Sequence, residues 1–330
     1  MSPEVLTRQI GQSGIAASAV GLGTWAIGGW MWGGTDEAAS IRAIQASIDA
    51  GISLIDTAPA YGLGRSEELV GQAIAGRRDQ VVIATKCGLN WHHGKGGKFF
   101  EEAGVPVHRY LGADGIAHEL EESLKRLGTD HIDLYITHWQ DPTTPIADTM
   151  ETLLRLKQAG KIRAIGASNV SPEELGAYLA TGGLDAIQER YSMLDRDIER
   201  TLLPLAGPAG VSTLSYSSLA LGLLTGKVSA TRAFTGDDQR ATDPRFSPEN
   251  RQHAADFAAA LRPVAERHGA SPAQLVIAWT LTQPGITFAL CGARDPAQAL
   301  ENTGAARLHL DADDLAQIEA ARTAHLAAIS

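Results

Sequence analysis

Cysteine is nearly absent from this chain: Cys87 and Cys291 are the two in 330 residues. Two thiols cannot build a disulfide framework, so a core must hold the fold. Aromatic residues are sparse, at 5%. No apolar run approaches the roughly 20 residues that span a bilayer. Residues 1–20 lack a basic start followed by an apolar stretch, so no signal peptide is expected. No run of Lys and Arg forms a basic stripe and the net charge is −10, which excludes nucleic acid as an expected partner. The acidity speaks mainly to solubility. Together these absences predict a cytoplasmic protein with neither membrane nor nucleic-acid partners.

What is present is apolar substance, 44% of residues, in a length that suits one large α/β barrel or two smaller domains. Short β-like runs fall at 19–22, 53–55, 81–84, 132–136, 162–165, 186–188, 212–215 and 287–290. Most are apolar on both faces, as buried parallel strands are. Helical patterns separate most of them, at 36–50, 66–75, 116–127 and 146–159, each followed by glycine or ending against one. Thr35-Asp36 is a plausible N-cap, and Ser171-Pro172 and Ser271-Pro272 each combine a cap with a first-turn proline. Eight strand–helix units predict a closed (β/α)₈ TIM barrel, with residues 1–330 as a single domain. Residues 6–17 read as an N-terminal β-hairpin outside the barrel. Residues 87–112 and 217–248 read as long loops after strands three and seven, on the rim where barrel active sites form.

On that rim the second strand ends in Asp56, followed by Thr-Ala-Pro-Ala-Tyr61-Gly62; the third ends in Thr85-Lys86 and the fourth in Thr137-His138-Trp139. Reducing a carbonyl by hydride leaves an alkoxide that needs a proton as it forms. Tyr61 can give it, and the Lys86 ammonium is expected to lower the phenol pKa. Asp56 would keep Lys86 charged, and His138 would hydrogen-bond the developing oxyanion. Singly, each has an ordinary reading as a cap or a solvent-reaching chain; at successive strand ends the set points to chemistry. Trp30, Trp32, Trp91 and Trp139 fall in rim loops and could wall an apolar substrate site or stack on a sugar ring. Adjacent His92 and His93 lack further spaced ligands, so no metal is expected. Cys87 should point away from Lys86 by strand alternation. Gly21-x-Gly23-x-x-Ala26 matches a loosened dinucleotide fingerprint, but without the following acid these glycines read as a tight turn ending the first strand.

The chain resembles the aldo-keto reductases from end to end, and most nearly the bacterial group typified by general stress protein 69. The motifs are Gly21-Leu-Gly-Thr-Trp25, Asp56-Thr-Ala-Pro-Ala-Tyr61-Gly62, Thr85-Lys86, Asp133-Leu-Tyr-Ile-Thr-His138-Trp139, Gly160-Lys-Ile-Arg-Ala-Ile-Gly-Ala-Ser168-Asn169 and Gly222-Leu-Leu-Thr-Gly-Lys227. The resemblance implies a catalytic tetrad of Asp56, Tyr61, Lys86 and His138. It implies a nicotinamide cofactor that meets Gly23, Thr24, Trp25 and Asp56. Ser168, Asn169 and Gln188 would hold the nicotinamide amide, with Tyr216 stacked on its ring. Barrels bind phosphate on the loops after strands seven and eight. Ser217, Ser218, Leu219, Gly222, Leu223 and Lys227 lie after the seventh, and Gly292 and Arg294 after the eighth, where Asp295-Pro296 opens a helix. Arg294 can stack on adenine and pair with a 2′-phosphate, and Gln298, Glu301 and Asn302 would face the adenosine. NADP(H) is therefore the preferred cofactor. Gly292 and Gln298 stand where relatives often carry more basic groups, which leaves NAD(H) possible.

The expected activity is NAD(P)H-dependent reduction of aldehydes and ketones, or oxidation of the matching alcohols or sugars. Two other readings stay open: a cofactor-binding, redox-sensing regulatory subunit, and a barrel isomerase or lyase with Lys86 as a Schiff-base nucleophile. Substrate identity, direction and oligomeric state are not encoded legibly.

Overall fold

The computed structural model describes residues 5–328, so residues 1–4 and 329–330 of the expected domain lie outside the described residues. Strands β1 (Thr7–Gln9) and β2 (Ala16–Ser18) form the expected N-terminal hairpin. Strands β3 (Val20–Gly23), β4 (Leu54–Asp56) and β5 (Val82–Cys87) open the barrel. Next comes a separate antiparallel sheet of β6 (Leu89–Asn90), β7 (Gly97–Glu102) and β8 (Val105–Arg109). The barrel resumes with β9 (Ile132–Thr137), β10 (Ile162–Ser168), β11 (Ala186–Arg190), β12 (Ser212–Tyr216) and β13 (Phe288–Gly292). It closes where β13 pairs with β3, all its pairs being parallel. The fold is the expected (β/α)₈ barrel.

Helices α1 (Glu37–Asp49), α2 (Arg65–Ala73), α3 (Ala113–Leu127), α4 (Ile146–Gln158) and α5 (Pro172–Thr181) follow the early strands. Two short turns, α6 (Ile198–Thr201) and α7 (Leu203–Ala206), precede α8 (Pro248–Arg267), α9 (Pro272–Thr282), α10 (Pro296–Gly304) and α11 (Ala312–Ala328). Asp36 caps α1 by accepting from the Ala39 N–H at 2.9 Å. Ser171 and Ser271 form full capping boxes with Glu174 and Gln274. No described helix is long and apolar enough to cross a membrane.

Alternation along each strand sorts its residues into two cores. Leu54, Val82, Ala84, Leu134, Ala164, Leu214, Phe288 and Leu290 fill the barrel interior, while Ile55, Ile83, Cys87, Ile165 and Ile187 pack outward against helices. Cys87 thus points away from Lys86, as alternation requires. The hairpin seals the barrel floor: Ile10 and Ile15 join the interior cluster. The Ser212 hydroxyl donates to the Gln9 carbonyl at 3.0 Å and accepts from the Gly11 N–H at 2.8 Å.

Three expectations change. Gly21 and Gly23 lie inside β3 rather than in a turn. A Cβ on Gly21 would come within 2.7 Å of the Leu290 side chain and 2.9 Å of that of Leu54, so crowding inside the barrel excludes a side chain. The insert at 87–112 is the β6–β7–β8 sheet rather than a loop, turning at Ala103 and Gly104, both with positive φ. Several barrel strands also run one to three residues further toward the rim than their apolar runs, β10 to Ser168 among them. The insert after β12 is a chain of 3₁₀ turns.

Candidate active site

Asp56 ends β4, and Lys86 stands next to last in β5 with the inward parity of Val82 and Ala84. Lys86 is fully buried. Its Nζ donates to Asp56 Oδ1 at 2.9 Å and Oδ2 at 3.0 Å, to the Thr57 carbonyl at 2.8 Å and to the Tyr61 hydroxyl at 3.2 Å. Gln188 Nε2 adds a bond to Asp56 Oδ2 at 2.7 Å. Tyr61 sits in the loop after β4, where the loop after β3 lies directly on its backbone. A Cβ on Gly28 would fall 2.6 Å from the Tyr61 carbonyl carbon. The His138 ring meets the Tyr61 ring edge-on, centroids 5.7 Å apart at 83°.

Burial and the Asp56 carboxylate push the Tyr61 phenol well above its usual pKa. This reverses the expectation that Lys86 lowers it. The ammonium is committed to Asp56, so Tyr61 faces a nearly neutral pair in a dry wall. Burial also lowers Lys86, against the pull of Asp56. Burial, then the Lys86 charge, hold His138 well below the usual imidazole value. The ring is therefore neutral near pH 7, and its Nδ1 is buried without a partner.

These groups open on a cavity of ≈ 700 Å³. Asp56, Tyr61 and His138 reach its wall, as do Gly23, Trp25, Ser168, Asn169, Gln188 and Tyr216. Asn169 sits at φ +56°. Its Nδ2 donates to the His138 carbonyl at 2.9 Å, and its Oδ1 accepts from the Tyr216 hydroxyl at 2.7 Å. Further along lie Ser217, Ser218, Leu219, Gly222 and Lys227, then Gly292, Arg294, Gln298, Glu301 and Asn302. Lys227 pairs with Glu301, and Asp295 caps α10 by accepting from the Gln298 N–H at 2.9 Å. Arg294 reaches the Trp32 carbonyl at 3.1 Å. Asp237, in the insert after β12, ties that insert to the loop after β3, accepting from the Met31 N–H at 2.8 Å and the Gly33 N–H at 2.9 Å.

Some expected residues stand elsewhere. Thr24 is fully buried off the wall, its hydroxyl donating to the Asp56 carbonyl at 2.9 Å. Leu223 packs in the outer core. Trp91 packs at a tilt against His92, centroids 4.7 Å apart, while Trp30, Trp32 and Trp139 do line the cavity. Lys86 lies behind the wall with its ammonium bonds taken, which removes it as a Schiff-base nucleophile. Among the described residues no group of three or more His, Cys, Asp or Glu is set to hold a metal. Sequence reasoning missed Met31, Phe99, Phe100, Arg232 and Arg240 on the wall. The adjacent phenylalanines in a rim insert were the one available signal.

A parallel barrel with a buried carboxylate–ammonium–phenol chain and a neutral imidazole at its rim defines an oxidoreductase acting on C=O and CH–OH groups. Residues 19–323 match the Aldo/keto reductase family, and the chain belongs to it. It is 48% identical over 292 residues to aldo-keto reductase YhdN of Bacillus subtilis, covering 88% of this chain and 85% of that one. It is 42% identical over 311 residues to the NADH-specific methylglyoxal reductase of Escherichia coli, covering 92% and 94%. Among solved structures, the glycerol dehydrogenase AKR11B4 of Gluconobacter oxydans superposes with TM-score 0.87 at 38% identity, covering 97% and 96%. An aldo/keto reductase of Klebsiella pneumoniae in complex with NADP and acetate gives 0.72 at 30% identity, covering 94% and 93%.

Proposed function

We propose that the chain works as one barrel domain that reduces aldehydes and ketones, or oxidises the matching alcohols or sugars, with NADP(H) preferred and NAD(H) accepted. The observation that carries this reading is the Asp56–Lys86–Tyr61 chain ending beside His138 at the cavity wall. The wall suits a dinucleotide. Gly23 and Gly292 face each other across β3 and β13, and a Cβ on either would meet no atom nearer than 3.8 Å, so bare backbone lines that stretch. Ser217 at φ +56° and Gly222 at φ +100° curl the next stretch around it. Ser168, Asn169, Gln188 and Tyr216 would hold the nicotinamide end; Ser217, Ser218, Leu219 and Gly222 the pyrophosphate; Arg294, Gln298, Glu301 and Asn302 the adenosine. Arg294 supports a 2′-phosphate, hence NADP(H). The Klebsiella structure is in line with that, and the name of the Escherichia coli relative keeps NAD(H) in play.

When bound, the nicotinamide supplies the hydride in reduction and accepts it in oxidation. The neutral His138 ring offers an N–H to the substrate carbonyl oxygen and orients it. Tyr61, protonated because its phenol is raised, delivers its proton to the alkoxide oxygen as the C–H bond forms. The phenolate left behind is held by the Lys86 ammonium at 3.2 Å, and Asp56 keeps that ammonium charged. Solvent then restores the phenol proton, and oxidation runs the same transfers backward.

The test is cofactor consumption with NADPH and NADH against aldehydes, ketones and aldoses, with Tyr61→Phe alongside. The variant should lose about 10²–10⁴-fold in kcat while its cofactor Kd stays within about twofold, a binding change worth less than about 0.5 kcal/mol. Parallel loss of cofactor binding would remove Tyr61 from the proton-transfer role.

A further inference from the structure

Successive strand residues point to opposite faces, so a regular β7 would present one phenylalanine to the cavity and hide its neighbour. Here the β7–β8 pairing slips between Lys98 and Phe100. A bulge of this kind sets two residues against one and re-aims side chains. Phe99 and Phe100 both line the cavity. Phe100 stacks on Trp30 at 4.9 Å and 21°, joining the sheet to the loop after β3. Phe99 packs against Trp139 at 5.2 Å, and the Arg109 guanidinium sits over its ring at 4.9 Å. Phe99 nevertheless stays 37% exposed.

The chemistry of this end of the cavity is lopsided. Among the described residues, every charged group on the wall other than Asp56 comes from the chain after β12, Lys227 and Arg232 being two. The Asp56 carboxylate is occupied by Lys86 and Gln188. The loops after β3 and β5 contribute mainly rings, their side-chain donors being indole N–H groups, of which that of Trp32 is unpartnered; Arg240 from the later chain lies over the Trp32 ring at 4.9 Å. A polyhydroxylated substrate would leave hydroxyls unpaired against carbon, an unfavourable exchange. A flat apolar ring loses nothing there and gains stacked contacts.

We propose that the bulged strand β7 is a specificity element, and that Phe99 and Phe100, with Trp30 and Trp139, select a neutral carbonyl borne on a flat apolar ring, an aryl aldehyde or aryl ketone, over aldoses and small carbonyls. The inference rests on the reductase reading above and names the substrate class of that site.

The test compares kcat/KM for benzaldehyde, methylglyoxal and glucose in the wild type, Phe99→Ala, Phe100→Ala and the milder Phe100→Leu. Binding of benzyl alcohol to cofactor-free protein is followed in parallel by tryptophan fluorescence. The wild type should prefer benzaldehyde. Each alanine variant should cut the benzaldehyde-to-methylglyoxal ratio about tenfold, mainly through KM, with Phe100→Leu between, and should weaken benzyl alcohol binding alike. Cofactor Kd reports whether each variant is folded. A ratio unmoved in both Phe100 variants, or a wild type that prefers methylglyoxal or glucose, overturns the proposal. If Tyr61-dependent turnover of methylglyoxal persists in that case, this inference falls alone; if none of the three carbonyls is turned over, the reductase reading falls with it.

Discussion

Glu119 is a carboxyl the fold keeps from water. It accepts from the Gly88 N–H at 2.8 Å with Oε2, while its Oε1 is buried without a partner. Burial lifts its pKa from 4.5 to about 8. A carboxyl raised on folding stabilises the folded state below its unfolded pKa and loses that contribution as pH rises through the folded one. Stability should therefore fall between pH 4.5 and about 8, by up to about 1.4 kcal/mol per pH unit for this group. Glu119→Gln keeps an acceptor for Gly88 and removes the proton. It should flatten the curve of Tm against pH over that window and melt higher than wild type at pH 8; an unchanged slope would discount Glu119. At this scale the reactive residues were legible, because Asp56, Tyr61, Lys86 and His138 carry chemistry in their side chains. The sign of the Tyr61 shift was not, since it depends first on how deeply the phenol is buried and then on the Asp56 charge beside it. Trp91 and Thr24 were misplaced for a like reason: residue type says nothing about which way a rim side chain turns.

The elements were legible where their surroundings are apolar. The barrel strands show as runs such as 132–136, yet their rim ends were cut short. Ser168 lies beyond the run at 162–165, and Glu189 and Arg190 beyond that at 186–188, while the backbone stays extended. Function hides the strand ends, because an inward polar residue at the rim is a site residue in a strand. The β6–β7–β8 sheet was illegible for the opposite reason. It packs on a small cluster of Ala60, Leu89 and Val107, and so carries little alternation. The β1–β2 hairpin was legible as a hairpin but not as the barrel floor. Ile15 is 4% exposed within the interior cluster. Ile15→Ala should cost about 2–5 kcal/mol of stability in denaturant melts, with kcat at saturating substrate retained at temperatures where the barrel stays folded. A full loss of kcat in folded protein would mean the floor communicates with the rim.

At the scale of the whole molecule, chain order and spatial order part company. The cavity wall is assembled from the loops after β3, β4, β5, β9, β10, β12 and β13 and from strand ends such as Gln188 in β11, so residues more than 200 apart in sequence meet, as Met31 and Asp237 do across 206. The barrel makes such convergence unavoidable once eight parallel strands close. For that reason the architecture could be anticipated from strand count while the partners across the rim could not.

The Asp237 tie has a consequence for how the protein ages in a cell. A ligand lying beneath a closed tie and the tie itself must stabilise each other, because whatever binds only the closed form draws the population toward it. A cofactor that binds only the closed form would, at about 100 times its Kd, make opening about a hundredfold rarer. Trypsin cleavage within residues 232–245 should slow by a comparable factor when NADPH is added, and Asp237→Ala should erase much of that protection. Equal cleavage with and without cofactor would show the tie opening independently of the ligand. If protection holds, supply of reduced nicotinamide sets the proteolytic lifetime of the enzyme as well as its rate.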